Sequence, residues 1–326
     1  MPAPGAGVRR RPMTETAQSP VPLPSSVSEA ARQVLAVPRV AADWPAQDDV
    51  EGWERLVAAS DASLQERFPA DAFPVDVEER QVGGVRTFVA RPPGTPDDAG
   101  PVYLDVHGGA LIMGGGELCR SFTAMTAMST GLTTWGVDYR MPPRHPYPAG
   151  LDDCVAVYRA LLEVREPADV VVGGASAGGN LAAALVVRAR EEGLPMPAAL
   201  VLNTPELDLT ESGDSFTTNL AFDNVLGPLL EVNRLYAAGA DLADPHLSPL
   251  FADVTGFPPT FLQAGTRDLF LSNAVRMHRR LRAAGVEAEL HVGEAMPHGG
   301  FGGTAPEDVE LAAERRRFVD RHRRRD

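Results

Sequence analysis

Apolar positions along the chain follow two rhythms. Residues 26–35 and 49–68 carry them at helical spacing, with Asp48 and Asp49 available as caps for the second helix. Residues 75–82 and 85–91 alternate instead, and Gly83-Gly84 between them predicts a hairpin. From residue 101 the pattern becomes strand, helix, strand, helix. Strands are predicted at 101–106, 133–139, 168–172, 198–202, 260–263 and 287–292. Helices are predicted at 118–130, 148–164, 177–191, 272–284 and 306–321. Strands alternating with helices need crossover connections, hence a mostly parallel sheet covered on both faces.

The alternation breaks between about residues 207 and 257, a stretch too long for a simple loop. It holds a helical pattern at 225–236 and then Asp- and Pro-rich turns. With the two early helices it reads as a cap over one end of the sheet. The organisation expected is a mobile tail over 1–26, cap helices over 27–70, and a catalytic domain over 71–326 with a cap insertion at about 207–240.

Composition narrows the chemistry. Thirty basic residues against 44 acidic ones give a formal charge of -14, a surface that repels nucleic acid and anionic lipid. The chain has no lysine, which excludes a Schiff-base lysine and a Walker-type phosphate loop. Its two cysteines, Cys119 and Cys154, cannot form a zinc knuckle or a disulfide framework, and they read as reduced thiols. Apolar runs are strand-sized, so no membrane span is expected. Arg9-Arg10-Arg11 is followed by polar residues and not by an apolar stretch, which argues against a signal peptide, and Met13 is an alternative start. A cytoplasmic protein is expected.

The chemistry centres on Gly174-Ala175-Ser176-Ala177-Gly178. A G-x-S-x-G alone is weak, because a glycine-rich turn with an idle serine has the same letters. Here Val170-Val171-Val172 leads in and good helix formers lead out, so Ser176 stands on a strand-to-helix corner. A serine needs a base. Of seven histidines, His278 and His291 lie in regular elements, His145 and His246 in turns, and His322 in the tail; His107 opens a glycine loop. His298 lies in a loop after the last strand and is the candidate base. Asp268, at the end of the preceding strand, is the candidate acid that orients it, with Asp208 and Glu294 competing and Arg267 an alternative partner for it. His107-Gly108-Gly109-Ala110 follows a strand about 70 residues earlier. The amides of Gly108 and Gly109, with that of Ala177, are the candidate oxyanion donors. Gly114-Gly115-Gly116 suggests another close backbone approach.

Taken together these motifs, with Asp138-Tyr139-Arg140, Pro143 and His145-Pro146-Tyr147-Pro148-Ala149, resemble the hormone-sensitive-lipase-like branch of bacterial carboxylesterases over about residues 75–320. The resemblance implies an α/β-hydrolase fold: a mostly parallel eight-stranded sheet flanked by helices, with a helical cap. It also implies a Ser176–Asp268–His298 triad. Three departures stand out. Ala110 replaces the family's third glycine, Ala175 replaces a common acid before the nucleophile, and Phe301 falls three residues after the histidine instead of two.

The function expected is hydrolysis of a small or medium-sized carboxylic ester or lactone through an acyl-enzyme on Ser176, without metal or organic cofactor and without nucleic-acid or membrane partners. Two rivals keep the fold. One is a tailoring enzyme performing acyl transfer, cyclisation or dehydration. The other is a non-catalytic receptor, which would be expected to lose a triad residue. A homodimer paired through the last strand and helix is also open.

Overall fold

The computed structural model describes residues 21–39, 42–69, 72–95 and 100–323. Of the expected tail, residues 1–20 lie outside the described residues, as do Arg9-Arg10-Arg11 and Met13. Residues 21–26 run without regular structure, and the Pro22 carbonyl accepts a 3.0 Å hydrogen bond from Arg267.

Eight strands form one sheet: β1 (Asp76–Val82), β2 (Val85–Arg91), β3 (Val102–Val106), β4 (Thr133–Val137), β5 (Val170–Ala175), β6 (Ala199–Asn203), β7 (Thr260–Gly265) and β8 (Ala288–Gly293). Their order is β1-β2-β4-β3-β5-β6-β7-β8. The hairpin closes tightly, with Val82 opposite Val85. Strand β2 pairs antiparallel with β1 and β4, and every pairing from β4 to β8 is parallel. β3, β4 and β5 are buried almost throughout because helices cover both faces, which is why they read as largely apolar runs.

The helices are α1 (Glu29–Leu35), α2 (Val50–Arg67), α3 (Glu117–Thr130), α4 (Ala149–Leu162), α5 (Ala177–Glu191), α6 (Ser215–Thr218), α7 (Leu230–Ala237), α8 (Leu271–Ala283) and α9 (Pro306–His322). Asp49 caps α2 through a 2.8 Å bond from the Gly52 amide, as its side chain suggested. α5 is buried nearly all round, because small side chains such as Ala182, Ala183 and Ala184 let it lie between the sheet and its neighbours. The principal core joins α4, α5 and α8 to the sheet.

The predicted helix at 225–236 differs in the structure. Only Leu230–Ala237 is helical, because Gly227 and Pro228 interrupt the pattern and Pro disfavours helix in the residue before it. The single-turn α6 has too little periodicity to be predicted.

Among the described residues three smaller cores lie outside the main one, and two of them border the loops at the sheet's edge. Trp53 of α2, Leu229 and Val232 at α7, Ile112, and Leu269-Phe270 form one of them, with Ala110 and Met113 packed against it. α1 lies elsewhere. Its Ala31 and Leu35 pack with Met296, Phe301 and Leu311, and Ser28 donates from both its amide and its hydroxyl to Glu307.

Candidate active site

Ser176 occupies the corner between β5 and α5 with φ 57° and ψ -122°, a conformation costly for a residue with a Cβ. The corner persists because the surrounding backbone is packed around it. The Ser176 amide donates to the Asn203 carbonyl at 2.9 Å, and its carbonyl accepts from Glu206 and Asn180 at 3.2 Å each. Gly178 makes the turn possible: a Cβ there would lie 1.9 Å from the Val106 carbonyl oxygen. The main chain of β3 and the first turn of α5 therefore touch, and the hydroxyl is left projecting from the sheet edge.

The loop after β8 brings His298 to the same edge. Its Nε2 lies 2.9 Å from Ser176 Oγ, and its Nδ1 lies 3.1 Å from Asp268 Oδ1. A carboxylate only accepts, so Nδ1 carries the proton toward Asp268 and the Nε2 lone pair faces the serine O–H. Asp268 is fully buried, and its Oδ1 also accepts from the Phe270 amide at 2.8 Å. Phe270 packs its ring edge-on against the imidazole, with centroids 4.8 Å apart. Burial alone would lower the His298 pKa. The charge and hydrogen bond of Asp268, followed by the charge of Asp223, outweigh it and hold the imidazole above its ordinary value.

The loop after β3 runs beside the serine. A Cβ on Gly108 would sit 2.8 Å from the Ala175 carbonyl oxygen and 3.4 Å from Ser176 Cβ, so only bare backbone fits. The amides of Gly108 and Gly109 donate to no described backbone carbonyl. The Ala177 amide opens α5 and has no intrahelical acceptor. The loop is fixed from behind: Tyr139 stacks on the His107 ring at 4.1 Å and donates to the His107 carbonyl at 3.0 Å. The suggested close approach at the second glycine run is present, since a Cβ on Gly114 would meet the Gly108 carbonyl oxygen at 2.5 Å. The Gly114 amide donates to Asp61 of α2 at 2.9 Å.

The competing acids lie apart from the imidazole. Asp208 accepts from Ser212 and Arg276 at 2.6 and 2.7 Å, and Glu294 is exposed. Arg267 turns to Pro22 and not to Asp268. Among the other histidines, His291 bonds Glu314 and Glu289, and His246 bonds Glu191.

Two residues in the insertion escaped the sequence reading. Asn219 donates to the Asp268 carbonyl at 2.9 Å. Asp223 accepts from the amides of Leu269, at 3.0 Å, and His298, at 3.4 Å, and so ties the two loops together. Neither lies in a periodic pattern or a motif; an Asp in a long interruption was the only available signal.

Among the described residues, His107, Cys119 and Asp138 hold ligand-type atoms within 4.8 Å of one another. Asp138 is already engaged by Arg86 and by the Gly116 amide, and burial pushes the Cys119 thiol far up, away from the thiolate a metal needs. These residues make a packed support behind the glycine loop and a poor metal site.

The fold is shared with known proteins. A family profile described as alpha/beta hydrolase fold matches residues 103–301. An esterase of Acinetobacter venetianus is 34% identical over 193 residues, covering 58% of this chain and 64% of that protein. The crystal structure of an esterase E25 superposes with a TM-score of 0.80 at 33% identity, covering 95% of this chain and 99% of that one. An esterase from the bacterial hormone-sensitive lipase family gives a TM-score of 0.74 at 34% identity, covering 90% and 95% respectively. The chain belongs to the α/β-hydrolase fold family, in its bacterial hormone-sensitive-lipase branch.

Proposed function

We propose that the protein is a serine hydrolase that cleaves a small carboxylic ester or lactone through an acyl-enzyme on Ser176. The observation that carries this reading is the continuous chain Ser176 Oγ–His298 Nε2 and His298 Nδ1–Asp268 Oδ1, at 2.9 and 3.1 Å, beside the bare-backbone loop of Gly108 and Gly109. Ser176 attacks the ester carbonyl as His298 takes its proton. Asp268 holds the imidazole tautomer and stabilises the imidazolium. The amides of Gly108, Gly109 and Ala177 receive the developing oxyanion, a task in which losing one donor costs on the order of a hundred- to a thousand-fold. His298 returns the proton to the leaving alcohol, and water then releases the acyl group by the same route. The esterase names of the matched relatives favour this reading over acyl transfer, cyclisation or dehydration.

α2 and the segment from α6 to α7 act as the cap; they share a core with the glycine loop and Phe270. Among the described residues no helix is long and apolar enough to cross a membrane. Both cysteines are free and buried, which suits a reducing cytoplasm. The sheet-edge strand β8, with α9 beside it, is the surface for two-fold pairing, and light scattering at twice the chain mass is the expected result. The reading is tested by labelling with a fluorophosphonate. Modification at Ser176 that excess ester suppresses is expected; an unlabelled, inactive protein refutes it.

A further inference from the structure

Asp61 is a carboxylate on the cap helix α2 that the mechanism above does not use. Its Oδ1 accepts from the Gly114 amide at 2.9 Å. Nothing local to the helix favours an Asp at this place. Asp is a poor helix former, and position 61 lies past the middle of Val50–Arg67, far from the first turn where the helix dipole favours an acid. Among the described residues no cation bonds it. The side chain is half-buried, burial raises its pKa, and the bond from Gly114 opposes that rise. A partly desolvated carboxylate without a cation is a cost, and the contact with Gly114 is what offsets it.

Gly114 stands on the return leg of the loop that begins at His107. Its φ of 100° favours glycine, and its backbone presses on the oxyanion segment: a Cβ there would lie 2.5 Å from the Gly108 carbonyl oxygen. The same carbonyl oxygen lies 2.8 Å from His107 Nδ1. The peptide unit joining Gly108 to Gly109 is planar and trans, so its C=O and its N–H point opposite ways. With the carbonyl turned toward His107 and Gly114, the Gly109 N–H is turned away from them, while Gly108 itself borders Ser176. Asp138, just after β4, holds the Gly116 amide at 2.9 Å from the sheet side, and Asp61 holds Gly114 from the cap side. We propose that Asp61 is a positioning residue for oxyanion stabilisation: by holding the Gly114 amide it keeps the return leg against the Gly108 carbonyl, and so keeps the Gly109 N–H aimed at the developing charge. This rests on the ester-hydrolase reading above and adds a residue of the cap to that site.

The test measures kcat and KM of the full chain on ethyl butanoate at pH 8 by alkali uptake. Turnover is counted per site titrated with fluorophosphonate, and folding is followed by thermal melts. D61A should lower kcat about tenfold and leave KM nearly unchanged, a part of the loss expected when an oxyanion donor is removed outright. The inhibition constant of butyl trifluoromethyl ketone, whose adduct with serine carries the same oxyanion, should rise by a similar factor. D61N keeps an oxygen that accepts from Gly114 and should retain most of the wild-type kcat. D61M carries the comparison should D61A not fold. A merely structural role would lower the melting temperature and the fraction of titrated sites, yet leave kcat per site and the inhibition constant alone. That pattern in the folded variants overturns the proposal, as does a D61N no better than D61A. No turnover by the wild type together with no fluorophosphonate labelling overturns the hydrolase reading itself, and this proposal with it.

Discussion

At the scale of single residues, the proposed chemistry reduces to where one proton sits. His298 must be neutral to accept from Ser176, and its pKa is held above the ordinary value by Asp268 against the opposing effect of burial. The acid limb of kcat/KM should therefore fall with a midpoint above about 6.5. A midpoint well below that value in a pH–rate profile would contradict the electrostatics described. Ser176→Ala should reduce kcat on the order of 10⁴-fold or more without loss of folding, measured by ester turnover and circular dichroism. These residues were legible because each stands in a local pattern: a serine between glycines at a strand end, and a histidine in a Pro–Gly loop. Asp223 and Asn219 were not legible. Their contacts with the His298 and Asp268 loops join positions 46 or more residues apart that no periodicity links.

At the scale of elements, the serine corner is a packing constraint as much as a chemical one. Gly178→Ala would push a methyl group to 1.9 Å from the Val106 carbonyl oxygen, and backbone cannot yield as a flexible side chain does. We expect destabilisation of roughly 3 kcal/mol or more, seen as a lower denaturant midpoint with an unchanged slope. The strand–helix alternation was readable because parallel strands buried on both faces are mostly apolar, and the covering helices keep their period. The insertion was harder. Gly227 and Pro228 truncate a pattern that looks helical from residue 225, and a one-turn helix such as α6 shows no period.

At the scale of the whole molecule, the sheet carries a buried charge problem at its centre. Asp105 on β3 is 7% exposed, with Thr126 at 3.2 Å as its hydrogen-bond donor, and burial pushes its pKa up to about 7. The unfolded chain releases that proton near about 3.9. Between these values the folded state holds a proton that the unfolded state lacks, so stability falls as pH rises from about 4 to about 7 and does not recover above it. Asp105→Asn should unfold at a higher temperature than the wild type at pH 8, with the gap closing toward pH 5 in a pH series of thermal melts.

The seat of α1 ties the two ends of the molecule together. Ser28 is bonded to Glu307, and Leu35 is packed with Met296 and Phe301, the residues on either side of the imidazole's loop. The amino-terminal helix thus works as a brace for that loop. Trimming the first 39 residues should leave the sheet intact by circular dichroism yet depress turnover, because the loop that aims the base loses its outer wall. A cut between the first two helices would then lower turnover without touching the three residues of the proposed triad.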